Sequence, residues 1–377
     1  MSRLNPVVVM YDVVTPYGWG AGACWEGLLS SQTALSQVTR FDTHSFLSSN
    51  AGLVSDIRPK QDDSLVIQML KPLLSEAASD IPIDATLFLS SINGEIEFIQ
   101  EHFLDKNVDP AQSGLDCLLK KVQNLSKIKR PGFIVSTACA SSTTAVAQAA
   151  SMIRCGDTDC ALVTAVDCVS EFVFSGFSAL MALAPDIARP FDKNRQGLSL
   201  GEAAGFILLM SEERAFREGR EVLGQIAGWG LTNDAIHMTA PSDTGGRLAA
   251  AIQKSLTCAD IDIQDIGSVC AHGTGTLYND AMEINAFKKV FNNNPIPVYS
   301  IKGGTGHTLA ASGLIEIIIS FESLKRGITP GTMGLLSADD LATDMVAPCT
   351  SEIKTHVTIS TNSGFGGVNA ALVLKGK

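Results

Sequence analysis

The sequence predicts a layered α/β fold in which one order of strands and helices is used twice. Continuous apolar runs at 133–136, 160–166 and 205–210 read as buried strands, as do those at 297–301, 357–361 and 369–374. Two stretches with a 3.6-residue apolar rhythm, 139–154 and 307–324, occupy equivalent places among those runs. A further apolar opening at 222–229 restarts the pattern, which divides the chain into halves at 1–217 and 218–377 without sequence identity between them. A long insertion, 169–199, interrupts only the first half.

In the first half, PGFIVSTACASS (131–142) carries an apolar strand through small residues into a helix and places Cys139 at the helix mouth. Backbone N–H groups and the positive end of the helix dipole favour a thiolate there, and Ala138, Ala140 and Ser141 leave room for a substrate. The insertion contains FVFSGFSALMALAP (172–185), too apolar for a solvated loop, and predicts a buried or partner-facing surface.

In the second half, CAHGTGTLYNDAMEINAF (270–287) ends an apolar strand at His272, ahead of a helix. IKGGTGHTLAASG (301–313) puts Lys302 at a strand end and His307 at the next helix start. TNSGFGGVNAALVL (361–374) reads as a glycine-rich hairpin carrying Phe365. One thiol, two imidazoles and one ammonium thus lie at the ends of buried strands, where layered α/β folds build their sites. The duplication puts Cys139 and His307 at equivalent helix starts across a pseudo-two-fold axis, so that both can face one pocket.

Composition excludes several classes. At 377 residues and 45% hydrophobic content the chain can bury a large core. Its longest apolar run is broken by Glu316 and Glu322, so no membrane span is expected. VVVMY before Asp12 is too short for a signal peptide. Nine cysteines without framework spacing suit a reducing cytosol, and cytoplasmic localisation is expected. Cys155, Cys160, Cys168, Cys258 and Cys270 read as core residues, and Asp280 and Glu283 as helix N-terminal charges. A net charge of −11 argues against nucleic-acid binding.

The four motif segments, with PVVVMYDVVTPYGWGAGACWEGLLSSQTALSQVTRFD near the N-terminus and ARPFDKNRQGLSLGEAAGFILLMSEERA from Ala188, resemble the elongating β-ketoacyl-acyl carrier protein synthases. These are condensing enzymes of the thiolase fold, and the likeness covers nearly the whole chain. It implies two pseudo-symmetric βαβαβαββ halves in an αβαβα core. It also implies a decarboxylative condensation of a malonyl thioester with an acyl chain held on Cys139, in fatty acid or polyketide and polyene biosynthesis. Cys139 matches the acyl-accepting nucleophile, His272 and His307 the decarboxylation histidines, and Lys302 the lysine beside them. Glu316 matches a buried glutamate of that network, Thr274 and Thr276 match pantetheine contacts, and Phe365 matches a gating aromatic. Backbone N–H groups of Cys139 and Phe365 would form the oxyanion hole. Both imidazoles must be neutral donors, which a nearby Lys302 ammonium favours by repelling imidazolium.

No metal or redox cofactor is expected, since the substrates ride on the phosphopantetheine of an acyl carrier protein. A homodimer or a heterodimer with a related ketosynthase subunit is implied. An acidic carrier needs a positive landing site, for which Lys127, Lys129 and Arg130 are candidates within a wider cluster with Lys120 and Lys121, and Arg195 is another. Gly201, Glu202, Ala203, Ala204 and Gly205 stand where the family has GEGAG, and VTAVD (163–167) stands where relatives have a glycine pair. The segment between Ile92 and Ile134 is shorter than in the fatty-acid enzymes, which leaves acyl length open. The rival reading is a non-catalytic partner subunit of chain-length-factor type, which shares the fold. Such subunits replace the nucleophile, and Cys139 with both histidines argues against it.

Overall fold

The computed structural model describes residues 4–60, 63–104, 110–292 and 295–377. In the first half the main sheet takes β1 (Pro6–Thr15), β2 (Thr86–Ser90), β3 (Phe133–Val135), β4 (Cys160–Asp167) and β5 (Ala203–Ser211). In the second it takes β6 (Gly224–Asn233), β7 (Ser268–Cys270), β8 (Val298–Tyr299), β9 (Val357–Gly364) and β10 (Val368–Lys375). Outward from a seam at β1 and β6, the orders are β1-β5-β4-β2-β3 and β6-β10-β9-β7-β8. The two sequences of strands are the same permutation. Their directions repeat as well: the first two pairings on each side are antiparallel and the outer two parallel.

Helices α1 (Leu65–Ala77) and α2 (Leu115–Ser126) connect the strands of the first half, and α3 (Ser141–Cys155) follows β3. In the insertion between β4 and β5 lies α4 (Glu171–Ala179). The second half has α5 (Gly246–Ala259), α6 (Leu277–Phe291), the single turn α7 (Lys302–Thr305) and α8 (Ser312–Arg326). Three apolar clusters separate the layers. One holds Met69, Leu70 and Leu118 of the first outer helices, and another Leu248, Ile252 and Phe287 of the second. The middle cluster holds Ala145, Val146 and Ala149 of α3 with Leu314, Ile315 and Ile318 of α8. This is the αβαβα arrangement, with α3 and α8 as its inner layer.

Small residues bring the inner helices together. A Cβ on Gly313 would come 1.9 Å from Thr143 Oγ1, so α8 can pack this close to α3 only with glycine there. Ser142 Oγ accepts the Leu314 N–H at 2.9 Å across the same contact. Each helix stops at a glycine in the left-handed region, Gly156 (φ 82) and Gly327 (φ 71).

Two expectations are corrected. The second inner helix begins at Ser312, not at His307. Between them Leu309 is left-handed (φ 54), and the N–H groups of Leu309 and Ala310 go to His307 Nδ1 and Asp167 rather than to helix carbonyls. Cys155 is exposed and Cys258 half-buried, because both lie near helix C-termini at the surface. No helix among the described residues is long and apolar enough to cross a membrane.

Candidate active site

Cys139 follows β3 on a turn whose preceding residue, Ala138, is left-handed (φ 51), a conformation that costs an L-residue about 1–2 kcal/mol. Ser141 braces the turn from both sides: its Oγ accepts the Thr137 N–H at 2.8 Å and donates to the Ala138 carbonyl at 2.5 Å. Gly364 of the C-terminal hairpin lies against it. A Cβ there would come 3.2 Å from the Cys139 nitrogen and 3.1 Å from the Thr137 oxygen. That approach aims the Phe365 backbone N–H at the Cys139 sulfur.

Burial pushes the Cys139 thiol up to about 11, against the pull of the Lys302 charge and the Phe365 N–H. The expectation of a resting thiolate is therefore reversed, because the helix mouth is dry and the lost hydration outweighs the donors. Alkylation of Cys139 by iodoacetamide is expected to rise by about tenfold per pH unit between about pH 7 and 9. Exposed Cys155 and Cys349 will also react, so the rates are read by peptide mapping. A plateau below about pH 8 would contradict the buried-thiol reading.

His272 and His307 join the sulfur. One ring nitrogen of each and Cys139 Sγ all lie within 4.8 Å of one another, and the two rings meet edge to face with centroids 5.2 Å apart. His307 Nδ1 accepts the Leu309 N–H at 3.1 Å, which leaves the proton on Nε2. His272 Nδ1 lies 3.2 Å from Lys302 Nζ and 3.1 Å from Asn362 Nδ2, both donors, so its proton is also on Nε2. Burial holds both imidazoles well below their usual range, with the Lys302 charge adding to the effect and His307 adding further at His272. The result is a pair of neutral N–H donors beside a thiol. A soft Cys-His-His set is one a transition ion could use, but these imidazoles carry hydrogens where a metal would need lone pairs, and a buried ammonium stands beside them.

The supporting residues are mostly long-range and acidic. Lys302, the first residue of α7, donates to the His272 carbonyl and to Glu316 of α8. The other Glu316 oxygen accepts Asn362 Nδ2 at 2.7 Å, while Asn362 Oδ1 accepts the Thr143 hydroxyl. Glu283 accepts the backbone N–H of His272 at 2.8 Å and of Gly273 at 2.6 Å. Asp280 accepts those of Thr274 at 3.0 Å and Phe191 at 2.7 Å. Both acids thus cradle the histidine loop, a role beyond that of helix-end charges. Asn362 was not anticipated. Its position just before the glycine hairpin was the only signal available.

The three reactive groups lie in a pocket of about 320 Å³ that opens to solvent. Thr274 and Thr276 line it, with their hydroxyls 2.9 Å apart. Phe365 lines it too and stacks on Phe177 with centroids 5.9 Å apart. The apolar insertion is largely accounted for here: Phe174 enters the core, while Phe177, Leu180 and Met181 line the pocket.

None of the candidate docking cations lines this pocket. Arg195 is buried, its guanidinium held by Asp339 at 2.7 Å and by the carbonyls of Asp192, Thr276 and Leu277. It braces the loop at Thr276 and Leu277 and presents no free charge. Lys127, Lys129 and Arg130 are exposed but precede β3, whereas Cys139 follows it. Arg130 reaches Thr158, just before β4, so the cluster sits at the opposite end of the parallel strands from the nucleophile.

Residues 122–215 match the β-ketoacyl synthase N-terminal domain and residues 223–335 its C-terminal domain, together more than half of the chain. The chain belongs to the β-ketoacyl synthase family. Nodulation protein E of a Rhizobium species is 36% identical over 252 residues, which are 66% of this chain and 62% of that one. 3-Oxoacyl-(acyl-carrier-protein) synthase 2 of Vibrio cholerae is 28% identical over 412 aligned positions, with 100% of both chains covered. The ishigamide ketosynthase/chain length factor superposes at a TM-score of 0.88, with 26% identity and 100% of each chain covered. The thiolase-like fold and the acyl-transferring, condensing character of the family apply to this chain.

Proposed function

We propose that the protein elongates a carrier-borne acyl chain by decarboxylative Claisen condensation, with Cys139, His272 and His307 as its catalytic residues. The observation that carries this reading is the convergence of one thiol and a ring nitrogen of each of two imidazoles within 4.8 Å. In the first step Cys139 Sγ attacks the acyl thioester carbonyl. The bond to the carrier's pantetheine sulfur breaks, and the thiol proton leaves on that sulfur. The N–H groups of Cys139 and Phe365 stabilise the tetrahedral oxyanion.

In the second step a malonyl thioester loses carbon dioxide, and the electron pair of the broken C–C bond moves to the thioester oxygen. The Nε2–H groups of His272 and His307 stabilise that enolate, and as neutral donors they keep their protons. The enolate carbon then attacks the Cys139 thioester, the C–S bond breaks, and the cysteine takes a proton from solvent. Lys302 is a positioning residue that fixes His272 through its carbonyl and Nδ1. Thr274 and Thr276 would accompany the pantetheine arm. The chemistry calls for no metal or redox cofactor beyond that arm.

Incubation with acyl and malonyl thioesters of an acyl carrier protein should yield β-ketoacyl product and carbon dioxide in equal amounts. Failure to form ketoacyl product with any acyl length from short to long would overturn the reading. A chain-length-factor role is not favoured, because all three reactive side chains are present and correctly disposed.

The partner subunit is proposed to meet the open edge of the sheet. β3 is the last strand on its side, and Phe133 and Ile134 on it are exposed, an uncovered edge of the kind proteins normally protect. A dimer, homotypic or with a related subunit, is expected by sedimentation at micromolar concentration, and Ile134→Lys should dissociate it. A stable monomer of the unaltered protein would refute this.

A further inference from the structure

We propose that the carrier protein lands on an apolar rim around the pocket mouth, not on a basic cluster; this rests on the carrier-borne substrates of the reading above. Three segments form the rim. Leu180 and Met181 follow α4, Leu277 and Tyr278 open α6, and Ile236 and Met238 lie on the 234–241 loop. These six side chains are 52% to 79% exposed. Single exposed apolar residues are ordinary, but four that line one opening, with Ile236 and Met238 beside them on a loop whose Asp234, Thr239, Ala240 and Pro241 also line it, mark an interaction surface.

The third segment is tied to the catalytic hairpin. Gly366 N–H donates to the Met238 carbonyl at 2.6 Å, and Asp234 N–H to the Gly367 carbonyl at 2.8 Å. The rim is therefore continuous with the loop that presents Phe365.

Continuity with the pocket identifies the occupant. Cys139 lies at the inner end of the pocket, so a pantetheine arm that reaches it holds the carrier surface around its attachment point against this rim. Ionic attraction has little to act through. Among the described residues no lysine or arginine lines the pocket, Arg195 is engaged by Asp339, the exposed cluster at 127–130 lies at the far end of the strands, and Arg247 shares a hollow with Ile236 and Asp234. With a net charge of −11, the chain repels an acidic carrier at long range. The fitting partner is a carrier whose phosphopantetheine-bearing serine is flanked by apolar side chains.

The test is the Kd for a fluorescently labelled holo-carrier protein, read by anisotropy, alongside the KM for its acyl thioester. Ile236→Ser with Met238→Ser is expected to raise both by about tenfold, a loss of roughly 1.4 kcal/mol of binding. Ile236→Lys with Met238→Lys should also weaken binding, although it adds positive charge. Lys127→Gln, Lys129→Gln and Arg130→Gln together should leave Kd within about twofold. Raising salt from about 0.05 to 0.5 M should leave Kd unchanged or lower it, since screening removes repulsion and spares apolar contact. An unchanged Kd in the serine variant, tighter binding by the lysine variant, or severalfold weakening by salt or by the glutamine variant would overturn the proposal. Turnover of a small N-acetylcysteamine thioester tests the condensation reading separately, because it needs the catalytic groups and no carrier.

Discussion

Cys139→Ala is expected to abolish condensation while malonyl decarboxylation continues. Among the described residues that line the pocket the sulfur is the only thiol, and without it the enolate has no thioester to attack. Loss of a nucleophile of this kind costs at least about 10⁴-fold in turnover. The decarboxylation donors are untouched, because His272 and His307 are fixed by Lys302, Asn362 and Leu309 and not by the thiol. Carbon dioxide release from a malonyl carrier thioester, measured with product formation, separates the two steps. Condensation by the alanine variant would remove Cys139 from the mechanism, and simultaneous loss of decarboxylation would mean that the thiol supports the histidines.

His307→Ala is expected to show the converse pattern: acyl transfer to Cys139 persists, and decarboxylation falls by about 10²–10³-fold through loss of one preorganised donor. His272→Ala should show the same kinetic defect with an added stability cost. His272 Nδ1 faces Lys302 Nζ at 3.2 Å and Asn362 Nδ2 at 3.1 Å. Truncation takes that acceptor from two buried donors, at about 1–3 kcal/mol for a donor left without a partner. His307 Nδ1 faces a backbone N–H and the Ser312 hydroxyl, of which the hydroxyl can rotate to Thr308 at 3.2 Å. Thermal melts should therefore separate the two variants, with His272→Ala melting lower. Undiminished decarboxylation in either would exclude that imidazole as an enolate donor.

The fold was legible because its signals are local. The strand before Cys139 and the helix after it, and the later apolar runs in matching order, needed only short-range pattern, and the sheet reproduces that order in both halves. Cys139, His272 and Lys302 were legible because each closely follows a strand end beside small residues, and His307 because it stands five residues after Lys302 in a run of small residues. The electrostatics were not. The helix mouth suggested a lowered thiol pKa, but burial, which a sequence does not display, sets the opposite direction at Cys139.

The network of Glu316, Asn362 and Thr143 joins residues far apart in the chain, so spacing could not reveal it. The roles of Asp280 and Glu283 were closer to hand. They stand on the first turns of α6, immediately after the loop whose N–H groups they accept. The position of the basic cluster was also open to reasoning, since residues that precede a strand cannot share an end with those that follow it. Arg195 was different. Its neighbour Asp339 comes from a distant loop, and only the folded chain shows that the guanidinium is already engaged.

The most direct test of the central claim is intact-protein mass spectrometry after incubation with an acyl carrier thioester, followed by peptide mapping. The account predicts one acyl group per chain, carried on the peptide containing Cys139, absent from Cys139→Ala and discharged when malonyl carrier thioester is added. Acylation of another residue, or no covalent adduct while ketoacyl product forms, would contradict it.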